Sequence, residues 1–149
     1  MVIYTIGFTK KSAEQFFGLL KKNNVRYLID IRLNNSSQLA GFAKGRDLKY
    51  FLRELLGIGY IHDTKLSPTK EILDDYKNKL ISWNEYEKKF IKLLEERNIR
   101  NHVIDNLYEV LDGCCLLCSE ETAEKCHRRL VAEYIQRVFC NEEIKIIHL

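Results

Sequence analysis

Short apolar runs alternate with amphipathic helical segments along the whole chain, and this alternation constrains the fold more than any other feature. The runs are Val2–Ile6, Val25–Ile31, Tyr60–His62, Cys114–Cys118 and Ile144–His148. They are mostly aliphatic or aromatic, as expected of strands buried on both faces. Gly7 ends the first. Ser12 and Gln15 then form a capping box, and Phe16, Leu19 and Leu20 carry the apolar stripe of a helix that stops at Asn23-Asn24. Strand, helix and strand within about 30 residues make a βαβ unit with parallel strands and a right-handed crossover.

The same reading continues along the chain. A helix is expected over Asp47–Leu56, closed by Gly57, and Pro68 suits the first helical position of Thr69–Leu80. Ser82 and Glu85 cap a helix that runs to about Arg97. Ile99, Val103, Leu107 and Leu111 fall on one face of another, stopped by Asp112-Gly113. A long helix is expected over Ala123–Phe139. Leu33–Lys44 is polar, contains glycine and has no clear period, so it is expected to be a surface loop long enough to be a functional candidate. The expected architecture is a single α/β domain over residues 1–149, a mostly parallel sheet with helices on both faces in Rossmann-like layering.

Composition narrows the class. An apolar fraction of 46% with 30% charged residues suits a globular chain rather than a disordered one. A net charge of +3 is too small to argue for a nucleic-acid footprint. No apolar run approaches the ~20 residues of a membrane span, and the start of the chain has no basic segment followed by a cleavage site. The expected location is cytoplasmic, with no membrane partner. The five cysteines are odd in number and crowded late in the chain, unlike a secreted disulfide framework.

In open parallel sheets ligands bind beyond the carboxyl ends of the strands. That rule selects Gly7–Lys11, Arg32–Ser37 and Cys118–Thr122. The last is the most informative. Cys118 ends a strand, and a helix follows within a few residues, so its free N–H groups favour an anion. A thiol facing that helix end beside His127 and Arg128 is expected to have a depressed pKa, as a nucleophile or redox thiol requires. Glu120 and His127 are the acid/base candidates. Arg128 and Arg129 are unfavourable near a helix N-terminus and need a reason. Arg128 either pairs with Glu124 one turn earlier or holds an anionic ligand with its bidentate fork. Cys126 and His127 lean toward the sheet, where either could equally be a core residue.

Zinc is disfavoured by the spacing of its candidate ligands. Cys115 and Cys118 lie three apart on a strand and face opposite sides, and adjacent Cys126 and His127 are awkward joint ligands on one helix. No metal and no cofactor are expected. In the other loops, Asp30 and Arg32 point to one side of their strand, where they form an ion pair or reach toward a ligand. Thr9 offers a hydroxyl after Gly7, but this loop lacks the dinucleotide and P-loop glycine patterns. His62 stands at another strand end as a candidate ligand-binding group.

These residues together resemble the family known as domain of unknown function 488. The matching pieces are Tyr4-Thr-Ile-Gly7, Leu28-Ile-Asp30-Ile-Arg32, Gly41-Phe42-Ala-Lys44, Tyr60-Ile-His62, and above all Leu116-Leu-Cys118-Ser-Glu120 followed by Cys126-His127-Arg128. The chain departs from the pattern at Phe8 and Thr9, where many members carry His and Ser, and at Leu66-Ser67-Pro68, where many have Leu-Gly-Gly. The resemblance implies a common α/β domain and a shared site at Cys118, Glu120, Cys126, His127 and Arg128, with Asp30 and Arg32 nearby. It implies no substrate.

The reading that follows is an enzyme acting on a small anionic or phosphate-bearing substrate, a nucleotide or nucleic acid. Cys118 would be the nucleophile or redox thiol, and Arg32 and Arg128 would hold the anion. The alternatives are a non-catalytic nucleotide or nucleic-acid binding module, and a structural domain whose Cys-His-Arg cluster is a buried network.

Overall fold

A computed structural model describes residues 1–36 and 40–149. Five parallel strands form one sheet in the order β3-β2-β4-β1-β5. They are β1 (Val2–Gly7), β2 (Tyr27–Asp30), β3 (Gly59–His62), β4 (Cys114–Cys118) and β5 (Lys145–His148). The α/β class and the strand set match expectation, with bounds shifted by a residue or two at several ends. The part of the expected Leu33–Lys44 loop at positions 37–39 lies outside the described residues. The helices of the described residues are too short or too polar to cross a membrane.

Helix α1 (Ala13–Lys22) begins at the Ser12/Gln15 capping box, both of whose hydrogen bonds are made. Helix α2 (Gly45–Phe51) continues into a wider π turn over Leu52–Leu56 and stops at Gly57, whose φ of 66° suits glycine. Helix α3 (Lys70–Lys77) starts one residue after Thr69, whose side chain accepts from the Ile72 N–H. Pro68 therefore lies before the cap rather than at the first helical position, because Thr69 supplies the stronger start signal. Helix α4 (Trp83–Glu96) begins at the Ser82/Glu85 capping box as expected. The helix expected over Ile99–Leu111 is broken at Leu107 into α5 (Ile99–Asn106) and α6 (Tyr108–Leu111). All four of its periodic apolar residues are nevertheless buried.

Helix α7 (His127–Val138) starts four residues later than the expected Ala123. Cys126 is its N-cap, in an extended conformation with φ −138° and ψ 138°. The stretch Ser119–Cys126 is therefore a loop, and that shift governs the geometry of the site.

The sheet is sandwiched between two cores. Phe16, Phe17 and Leu20 of α1 and Leu48 of α2 pack on one face with Leu28, Cys115 and Leu117. Phe90 of α4, Val103 of α5, and Leu130 and Ile135 of α7 pack on the other with Ile29, Cys114 and Leu116. Burying one such Phe or Leu side chain contributes roughly 1.5–3 kcal/mol. β4 lies between β2 and β1. Its chain leaves toward the second face, whereas the chains leaving β1 and β2 cross the first. Neighbouring strands that diverge in this way open a crevice at their carboxyl ends. Cys118 stands at that point.

Candidate functional site at the end of strand β4

Cys118 is the last residue of β4, in register with Gly7 of β1. Residues 114, 116 and 118 alternate with 115 and 117 between the two faces. Cys115 thus packs with the α1 side, while Cys118 turns toward α7. The opposite-facing expectation for Cys115 and Cys118 holds.

The Ser119–Cys126 loop folds back over the ends of β1 and β4. Thr9 pins it, donating both its N–H and its hydroxyl to the Ser119 carbonyl at 3.2 and 2.6 Å. Gly7 lies directly beneath: a Cβ there would sit 1.6 Å from the Glu120 carbonyl oxygen. Only glycine permits this approach. Arg128, at 0% exposure, reaches back from the first turn of α7. Its Nη1 donates to the Glu120 carbonyl at 2.6 Å and its Nη2 to the Glu121 carbonyl at 3.3 Å. Nη1 also lies 3.7 Å from Cys126 Sγ. The fork is engaged by the loop, so Arg128 is a positioning residue and does not line the cavity described below. Pairing with Glu124 does not occur, because Glu124 is outside the helix and the one-turn spacing is lost. Arg129 instead bonds the Glu124 carbonyl at 3.1 Å and Glu133 at 3.0 Å. The two cations near this helix start thus both have partners.

His127 sits behind the thiol. Its Nε2 is 2.9 Å from the Ile31 carbonyl, and its Nδ1 is 3.4 Å from Cys118 Sγ. A carbonyl only accepts, so in the neutral ring the proton is on Nε2 and the Nδ1 lone pair faces the sulfur. The ring meets Phe90 edge-on at 5.8 Å.

The thiols divide sharply. The Cys118 pKa is lowered, first by a hydrogen bond from Cys126, then by the backbone N–H groups of Ser119 and Glu120 and by the Arg128 charge, against the opposing effect of burial. Cys126, the donor of that pair, is pushed up, chiefly by the same bond and by burial. Burial alone dominates at Cys114, pushed up to about 12, and raises Cys115 as well. Of the buried thiols, Cys118 is the one poised to ionise.

Cys118, Cys126 and His127 open onto a cavity of about 270 Å³. Arg32 forms part of its rim. Its Nε and Nη2 donate to the Asp30 carboxylate at 2.8 and 2.6 Å, both side chains being almost wholly buried. Tyr60 donates to the same carboxylate at 2.7 Å, and its own ionisation is pushed up by burial and by the Asp30 charge. Asp30 and Arg32 are thus an ion pair, with one group left over. Arg32 Nη1 is buried and has no hydrogen-bond partner among the described residues. The guanidinium also lies over the Phe8 ring at 5.4 Å, so the residue that departs from the family pattern carries a cation–π contact. His62 supports this strand end, its Nε2 lying 2.8 Å from the Arg32 carbonyl. It does not line the cavity, and neither does Thr9. Glu120 does.

Sequence reasoning missed the opposite wall. Tyr76 at the end of α3 and Trp83 and Tyr86 on α4 line the cavity. Trp83 stacks on Tyr86 at 4.9 Å with the planes 19° apart, and Tyr76 lies 5.2 Å from Tyr86. The available signal was the single tryptophan immediately after the Ser82 cap, set among Lys and Glu that suggest a solvated face.

A family model described as Domain of unknown function DUF488 matches residues 12–135. The chain belongs to that family. No curated protein and no solved structure matches it. The matched span covers three of the five strands, β2, β3 and β4, together with most of α7. In this DUF488 chain it includes Cys118, Glu120, Cys126, His127 and Arg128, while Gly7, Phe8 and Thr9 lie before it.

Proposed function

We propose that the chain is an enzyme acting on a small phosphate-bearing substrate, with a mononucleotide as the best chemical fit. One observation carries this reading. Cys118, whose thiol pKa is lowered, and Arg32, whose buried Nη1 has no partner among the described residues, line one cavity with an aromatic far wall. A buried N–H without a partner costs about 1–3 kcal/mol, which an anionic oxygen would recover. The Tyr76–Trp83–Tyr86 wall suits a planar base. The volume, just below the roughly 300 Å³ lower end of ligand pockets, fits one small molecule rather than a polymer. In this reading Arg32 holds the anion and Cys118 is the nucleophile. His127 Nδ1 takes the thiol proton, and Glu120 protonates the leaving group.

Trp83 is the sole tryptophan and reports on its own pocket. Adenosine monophosphate, used as probe, is expected to quench its emission, and adenosine to bind far more weakly. Arg32→Lys keeps a charge opposite Asp30 but removes the third N–H. It is expected to weaken the nucleotide by roughly 10- to 100-fold, as for a lost charge-assisted hydrogen bond. Equal affinities for nucleotide and nucleoside, or none for either, would sink the reading. Steep salt dependence would point to a polymer instead.

The depth of Cys118, 4% exposed, favours a second reading, a binding module in which the thiol only packs. Its signature is nucleotide binding and turnover assays that Cys118→Ser leaves unchanged.

A further inference from the structure

Cys126 and His127 are awkward joint zinc ligands only on the assumption that both sit on a helix. The fold removes that assumption. Cys126 is the extended cap before α7 and His127 its first residue, so the two side chains converge rather than fan apart. Cys118 Sγ, Cys126 Sγ and a His127 ring nitrogen all lie within 4.8 Å of one another, and all three residues are buried. Ligand atoms around a tetrahedral zinc, with bonds of about 2.0–2.3 Å, sit roughly 3.5–4 Å apart. The 3.4 Å between Cys118 Sγ and His127 Nδ1 is already close to that.

We propose that Cys118, Cys126 and His127 form a three-ligand site for a soft divalent cation such as zinc, with its fourth position open to the cavity. Three further features of the site support it. First, the Nε2–H of His127 is held by the Ile31 carbonyl, which turns the Nδ1 lone pair toward the sulfurs. Metal-bound histidines are oriented by such a bond. Second, outer donors face the sulfurs, with Arg128 Nη1 lying 3.7 Å from Cys126 Sγ. Third, all three residues line the cavity, so an ion has an entry path and a place for an exchangeable ligand. Two thiolates and a neutral imidazole balance a dication, and sulfur and imidazole together select zinc or cobalt over magnesium or calcium.

The site stands on this geometry alone, and its consequence for activity rests on the proposed function. One sulfur cannot be both a free nucleophile and a metal ligand, so the ion is a reversible inhibitor of the thiol chemistry at the same site.

The test uses the whole protein, stripped with a chelator, and cobalt(II) as probe. One cobalt per chain is expected, with thiolate-to-metal absorption that zinc bleaches by displacement. Cys118→Ser and Cys126→Ser should each lose the band, and Cys140→Ser, on an exposed thiol, should keep it. Stoichiometric zinc should slow iodoacetamide labelling of Cys118 by about tenfold or more, as expected when roughly nine-tenths of the chains hold the ion. Wild-type protein without the band, or a band that survives Cys126→Ser in a variant whose Trp83 emission reports a folded chain, would overturn the site. The two proposals fail separately. Fast labelling without cobalt binding removes the metal and leaves the nucleophile. Cobalt binding by a chain whose free thiol labels slowly does the reverse.

Discussion

Arg128→Met is expected to lower the free energy of unfolding by about 2–4 kcal/mol, because it strands two loop carbonyls that the guanidinium now satisfies. The side chain is wholly buried, and it bridges the Glu120 and Glu121 carbonyls from the first turn of α7. Without it the Ser119–Cys126 loop keeps the Thr9 bonds to Ser119, the Arg129 bond to the Glu124 carbonyl and the exposed Lys10–Glu121 ion pair, none of which reaches the Glu120 and Glu121 carbonyls. Arg128→Lys is expected to rescue little, since an ammonium cannot span two carbonyls as a planar fork does. Urea unfolding followed by Trp83 emission measures both variants. The result also separates two roles for Arg128. A guanidinium aimed at a ligand would be an unpaired buried charge in the free protein, and Met would then leave stability unchanged or raise it. A positioning guanidinium predicts the loss.

The second large effect is at Asp30. Asp30→Ala is expected to destabilise by about 3–5 kcal/mol, the range for breaking a buried ion pair from one side. Arg32 would keep its charge at 3% exposure with neither carboxylate oxygen to bond, and the Tyr60 hydroxyl would lose its acceptor. The double replacement Asp30→Leu with Arg32→Met removes both charges. It is expected to recover much of the stability, because apolar residues of similar volume often replace such pairs without penalty. Nucleotide binding should not recover, because the unpartnered Nη1 has gone with the side chain. Stability and affinity part company in the double variant only if Arg32 has both roles. Chemical denaturation and Trp83 quenching on the same protein read them out.

The sheet was legible because period-two and buried-strand patterns are local. Val2–Ile6 and Cys114–Cys118 are short apolar runs, the first ended by Gly7 and the second preceded by Gly113. Capping boxes at Ser12 and Ser82 were legible for the same reason, since each is a contact between residues three apart. The start of α7 was not. Ala123, Glu124 and Lys125 are good helix formers. Their placement is decided instead by Arg128 holding the Glu120 and Glu121 carbonyls and by the Gly7 seat, contacts that no local pattern encodes. That one displacement changed the reading of the site. It took Glu124 out of pairing range of Arg128, turned Arg128 toward the loop, and brought Cys126 and His127 to the same sulfur. Cys118 itself was legible, since a cysteine at a strand end before a helix with His and Arg names its own environment. The aromatic wall was not, because Tyr76, Trp83 and Tyr86 come from two helices whose apposition is a tertiary fact.

The lowered Cys118 pKa has a definite sign. More of this thiol is ionised at neutral pH than of an ordinary one, so its alkylation persists to lower pH. The most direct measurement is the pH–rate profile of iodoacetamide labelling on metal-free protein, resolved by residue with mass spectrometry and with Cys118→Ser as control. Cys118 is expected to label ahead of the exposed Cys140 near neutral pH, with a midpoint below the value of about 8.5 for a free thiol. A midpoint at or above that value, with Cys140 labelled first at every pH, would contradict a reactive thiol at the end of β4.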